Sequence, residues 1–86
     1  MITRYDGTRF ITEEEIDKEF LDHWVLIKIA NPNDRSGYMI ASATDEGENR
    51  QMLSNIVIFE LNKDVEAKII YGCEERGGDL HVYLID

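Results

Sequence analysis

The sequence predicts one α+β domain: an antiparallel sheet and two amphipathic helices in a two-layer arrangement, with elements in the order ββ-α-ββ-α-ββ. Three observations point there. The chain has 86 residues, too few for a second hydrophobic core, and its 43% apolar and 31% charged content is that of a folding domain. Two segments repeat apolar residues at helical spacing behind capping residues. The other apolar segments are short and bounded by Gly, Pro, Asn or Asp, and short links make neighbouring strands antiparallel. Residues 1–86 therefore form a single domain, without repeats, linkers or low-complexity tracts.

Ile2 to Ile11 reads as a β-hairpin. Asp6-Gly7 stands between Thr3-Arg4-Tyr5 and Thr8-Arg9-Phe10, and an Asp-Gly pair suits a type I′ turn. Thr12 then opens a helix over about 12–22. Thr12 and Glu15 form a capping box, Ile11 and Ile16 a hydrophobic staple, and Glu13, Glu14 and Glu15 favour the positive end of the helix dipole. Ile16, Phe20 and Leu21 mark its buried face.

His23 to Ala30 reads as a central strand, because both of its faces are largely apolar: Val25, Ile27 and Ile29 on one, Trp24, Leu26 and Lys28 on the other. Asn31 to Ser36 is a loop around Pro32, and Gly37 to Ala43 the return strand, with Tyr38 and Ile40 opposite Met39 and Ala41. Asp45 with Glu48 caps a second helix over about 46–62, on which Met52, Leu53, Ile56, Val57 and Leu61 recur at helical spacing. The run Ile56-Val57-Ile58-Phe59 taken alone also suits a strand; the cap and the apolar pattern before it favour helix. Val65 to Tyr71 and Leu80 to Ile85 close the sheet, with a turn at Gly77-Gly78-Asp79.

The run Tyr5-Asp6-Gly7-Thr8-Arg9-Phe10, then Thr12-Glu13-Glu14-Glu15-Ile16, Phe20, Asp22 and Trp24-Val25-Leu26-Ile27 resembles small uncharacterised proteins of gut-type Gram-positive bacteria. In those, an Asp-Gly hairpin, a Glu-Glu-Ile helix and an aromatic-Val-Leu-Ile strand precede a Gly-containing return strand, here Gly37 to Ser42. The usual Pro before the strand aromatic is replaced by Asp22-His23. The resemblance spans residues 4–45 and implies a fold and a bacterial cytoplasmic setting, without an activity.

Charge narrows the function classes. There are 18 Asp and Glu against 9 Lys and Arg, a net charge of −9, which argues against direct binding to nucleic acid or anionic membranes. One cysteine, Cys73, makes no internal disulfide, and with His23 and His81 it is too little for a structural zinc site. No run is long enough to span a membrane, and the first residues lack a signal peptide's apolar stretch, so a cytoplasmic setting is expected. Glu74-Glu75 beside Cys73 disfavours a reactive thiolate, and no nucleophile elbow or phosphate loop is present. Neither enzymatic activity nor a cofactor is expected.

What remains is a non-enzymatic interaction domain with a protein partner. Six carboxylates between Glu13 and Asp22 surround one lysine, and Glu15, Glu19 and Asp22 are expected on one helical stripe, spaced about 5–6 Å per step. Such a stripe suits a basic groove, as in an acidic inhibitor or nucleic-acid mimic, for instance a phage anti-defence protein or antitoxin. The plainer reading is a solvated helix face. Trp24, Tyr38 and Tyr83 are the aromatic anchor candidates, with core packing as the alternative. With both helices on one sheet face, Leu26, Tyr38, Leu80 and Tyr83 would line a bare face and favour a homodimer.

Overall fold

The computed structural model describes residues 2–31, 33, 36–62, 64–73 and 82–85, with Asn31 and residues 82–85 described through their backbone. In chain order these form β1 (Ile2–Arg4), β2 (Phe10–Ile11), α1 (Glu13–Glu19), β3 (His23–Asn31), β4 (Ser36–Thr44), α2 (Asn49–Phe59), β5 (Ala67–Tyr71) and β6 (Val82–Ile85). The strands make one antiparallel sheet in the order β1-β4-β3-β5-β6, with β2 also on β4. The α+β class and the order of elements are those expected from the sequence. The apolar run of β3 lies at the centre, between β4 and β5.

The helices take opposite faces of the sheet, not a shared one. Trp24, Leu26, Ala41, Ala43, Ala67 and Ile69 pack with Leu53 and Ile56 of α2. Val25, Ile27, Met39 and Ile70 pack with Ile16 of α1 and with Ile11. Both faces of β3 are apolar because each meets a helix. The expected bare face is thus covered: Leu26 is fully buried beneath α2. Leu80 lies outside the described residues, as does the side chain of Tyr83.

The expected hairpin at Asp6-Gly7 is replaced by an interrupted edge strand. β1 and β2 pair with β4 and not with each other, Ile2 facing Ala43 and Phe10 facing Tyr38. Between them the ladder continues through Tyr5 N–H to the Ile40 carbonyl at 2.9 Å and Met39 N–H to the Arg9 carbonyl at 2.9 Å. Residues 6–8 loop out. Gly7 has φ +78°, but Asp6 does not share its positive φ, so no type I′ turn forms. The Asp6 carboxylate instead accepts from the Thr8 N–H at 3.0 Å and the Thr8 hydroxyl at 2.6 Å.

Opposite that loop, β4 carries a bulge. Leu26 pairs with Ala41 but Ile27 with Met39, leaving Ile40 extra. Ile40 and Ala41 therefore both pack on the α2 face, where strict alternation would separate them. Gly37 lets β3 and β4 approach: a Cβ there would lie 2.0 Å from the Lys28 carbonyl oxygen.

α1 starts as expected, with a complete capping box at Thr12 and Glu15. Ile11 and Ile16 are both fully buried in one cluster. It ends earlier than expected, at C-cap Phe20. There the chain is recruited to the end of β5: Asp22 N–H donates to the Gly72 carbonyl at 2.9 Å, and Gly72 N–H to the His23 carbonyl at 3.0 Å. Gly72 admits this approach, since a Cβ would stand 2.1 Å from the Phe20 carbonyl oxygen. α2 also starts late. Asp45 accepts from the Trp24 indole, Gly47 turns the chain with φ +54°, and N-cap Glu48 makes no side-chain capping bond. Ile56 to Phe59 is helical. The Gly77-Gly78-Asp79 turn, His81, Pro32, Asp34 and Arg35 lie outside the described residues.

Candidate functional site

The acidic residues singled out in the sequence do not form one stripe. Glu15 and Glu19 lie on α1, but Asp22 is past its end in left-handed backbone, φ 61°. Each also has a local role. Glu15 accepts from the Thr12 N–H at 3.2 Å, Glu19 pairs with Arg9, and Asp22 accepts from the Tyr71 hydroxyl at 3.2 Å. Beside α1 a hollow of about 330 Å³ is lined by Glu14, Asp17, Lys18 and Cys73. Cys73 is buried there, and its N–H donates to Asp17 at 3.1 Å. Among the described residues no group of three His, Cys, Asp or Glu is placed to hold a metal.

Trp24 is a packing residue at 8% exposure. Its Nε1–H donates to Asp45 at 3.0 Å, its ring lies 4.8 Å from that of Tyr71, and the Arg50 guanidinium stands 5.5 Å over it. Burial first, then the carboxylates of Asp22 and Asp45, push the Tyr71 phenol above its ordinary pKa. This cluster ties the α1–β3 junction, the start of α2 and β5 together. His23 is half-buried at that junction, its Nδ1 2.8 Å from the Leu21 carbonyl.

Tyr38 remains partly exposed and packs edge-on against Phe10, ring centroids 5.5 Å apart. The backbone of Tyr83 pairs with Ile69 in β6.

Among the described residues, the most exposed large apolar side chains lie elsewhere, on α2. Phe59 is 79% exposed, Ile58 60% and Met52 46%. Leu53 and Ile56 point into the core, which leaves Gln51, Met52, Asn55, Ile58 and Phe59 on the outward side. Met52, Asn55, Ile56, Phe59 and Glu60 face Arg4 of β1 across a hollow of about 230 Å³. Arg4 closes it with a two-pronged ion pair to Glu60, at 2.5 and 2.8 Å. The pair lowers the Glu60 pKa and raises that of Arg4, through the shared hydrogen bonds first. No carboxylate occurs among the eleven residues of α2, whereas five of the seven residues of α1 are acidic.

The sequence contained this signal. Ile56-Val57-Ile58-Phe59 is too continuous for a helix that buries one stripe, so two of its members must face outward. Helix geometry then puts Ile58 and Phe59 outside once Leu53 and Ile56 are inside.

No helix among the described residues is long and apolar enough to cross a membrane. No family model matches the chain, and no curated protein or solved structure matches it either.

Proposed function

We propose that this chain is a small non-enzymatic protein-interaction domain, acting in the cytoplasm, that docks a protein through the outward side of α2. One observation carries the reading: the most exposed large apolar side chains among the described residues, Phe59 and Ile58, stand on a helix without carboxylates in a protein of net charge −9. Interface cores are depleted in charge and enriched in Phe and Met, and contiguous apolar patches mark contact sites. The hollow beside Phe59 is small, and two of its polar side chains, Arg4 and Glu60, are tied to each other. The rival reading, an acidic inhibitor presenting α1 to a basic groove, draws on Glu15, Glu19 and Asp22, all of which have local partners.

The test is a photo-reactive phenylalanine analogue placed at Ile58 or, separately, at Glu14 in cells of the native host. The reading expects a protein adduct from position 58 that Phe59→Glu abolishes, and far less from position 14. Adducts from position 14 alone, or from neither, overturn it.

A further inference from the structure

We propose that the occupant of the α2 face is a second copy of this chain, packed helix against antiparallel helix about a two-fold axis at Asn55. The proposal rests on reading that face as a docking surface, and it names the partner.

A two-fold axis sets a surface against itself, so a surface carrying charge of one sign is opposed by the same sign. For a protein of net charge −9 most acidic surfaces are closed to such contact. The outward side of α2 is suited to it. Its residues Gln51, Met52, Asn55, Ile58 and Phe59 are uncharged, and α2 carries one charged residue, Arg50. By contrast, α1 placed against its own image would oppose five acids to five.

The spacing along α2 is also self-complementary. With Asn55 at the axis, Met52 is level with Ile58 of the second copy, and Gln51 with Phe59. Arg50 turns back over Trp24 and Glu60 is held by Arg4, so neither sets a like charge against its image inside the contact. The Asn55 oxygen already accepts from the Gln51 amide at 3.2 Å. Its own amide N–H groups are donors that a second Asn55 can accept. The Arg4–Glu60 pair, about half exposed, lies on the rim.

The test has three arms on the purified chain. In sedimentation equilibrium the wild type should reach twice the monomer mass by about 0.5 mM, and Ile58→Glu with Phe59→Glu should weaken association about a hundredfold or more. Both positions point outward, and an unchanged circular dichroism melt of that variant at low concentration verifies that the fold survives. Raising NaCl from about 0.05 to 0.5 M should strengthen association, because salt screens the repulsion between two acidic copies. An acidic face docking a basic partner would weaken instead. In a Cys73→Ser background, Asn55→Cys should oxidise to a disulfide dimer, since a residue at the axis meets its own image, and Glu14→Cys should not.

A wild type that stays monomeric at about 0.5 mM, or a dimer unaffected by the Glu variants, overturns the proposal. A dimer that those variants dissociate but Asn55→Cys does not trap overturns the register. A monomer in solution combined with a Phe59-dependent adduct to another protein at position 58 defeats the second copy as partner and leaves the docking reading standing. A monomer with no adduct defeats both.

Discussion

α1 and α2 cover opposite faces of one sheet and solve the same inward problem by different means. α1 has one buried residue, Ile16, and is held close by backbone approach at Gly72. α2 buries Asn49, Leu53 and Ile56 and is held by side chains. Outward they diverge further: α1 offers carboxylates to water, α2 offers Met52, Ile58 and Phe59. Inward faces are constrained by the core and look alike in any such domain. A difference between outward faces has no such cause, and so is informative about contact with other molecules.

The contrast in anchoring breaks most sharply at the glycines. Gly72→Ala would put a Cβ 2.1 Å from the Phe20 carbonyl oxygen and 2.9 Å from that of Ile16, both backbone atoms. We expect a loss of about 3 kcal/mol or more in urea unfolding, in the range of a disrupted core. Gly47→Ala, beside α2, meets nothing within 4 Å, and its cost is limited to the backbone strain of φ +54°.

Truncating the anchors separates the helices next. Leu53→Ala and Ile16→Ala should each cost about 2–5 kcal/mol from lost burial and the cavity left behind. Trp24 lies on the α2 side of the sheet and is the single tryptophan. Its emission should therefore shift in Leu53→Ala and stay unchanged in Ile16→Ala. Because Ile16 is the lone buried residue of α1, its loss should also reduce helical circular dichroism.

The helix starts give a smaller contrast. Thr12→Ala removes the hydroxyl that accepts from the Glu15 N–H, and should cost about 1 kcal/mol. Glu48→Ala should leave the melting temperature unchanged, since Glu48 makes no side-chain cap.

The smallest effect is the pH response at the edge strand. Thr8 hydrogen bonds hold the Asp6 carboxyl below its usual pKa, and Arg4 does the same for Glu60. A depressed carboxylate adds stability above its unfolded pKa and loses it as pH falls through the folded value. Both groups are exposed, so acidification below about pH 4 should produce a slight decline, which Asp6→Asn should diminish.

Much of this was legible in the sequence. The capping box at Thr12, the staple of Ile11 with Ile16, the two-sided β3 and the helical Ile56–Phe59 follow from local chemistry, and local chemistry is what they obey. Failures came where distant segments compete for a residue. Asp6-Gly7 has the composition of a hairpin turn, yet the bulge at Ile40 draws Tyr5 and Arg9 onto β4 on either side. Asp45 resembles a helix cap, but the Trp24 indole takes its carboxylate. Asp22 continues a stripe on a helical wheel, but the end of β5 pulls the chain off the helix two residues before it. The α2 face was missed for another reason. Periodicity shows that a helix is amphipathic, while only its fixed orientation on the sheet reveals which apolar residues are left over.

The most direct measurement is the concentration dependence of backbone amide shifts in purified, isotope-labelled protein, diluted from about 0.5 mM to about 10 µM. Contact through α2 predicts shifts that move together on dilution at residues 51–60 and at Arg4, while residues 13–19 of α1 stay fixed. Shifts confined to α1, or none in a chain that sediments as a monomer at about 0.5 mM, would contradict the α2 face as the surface on which two copies meet.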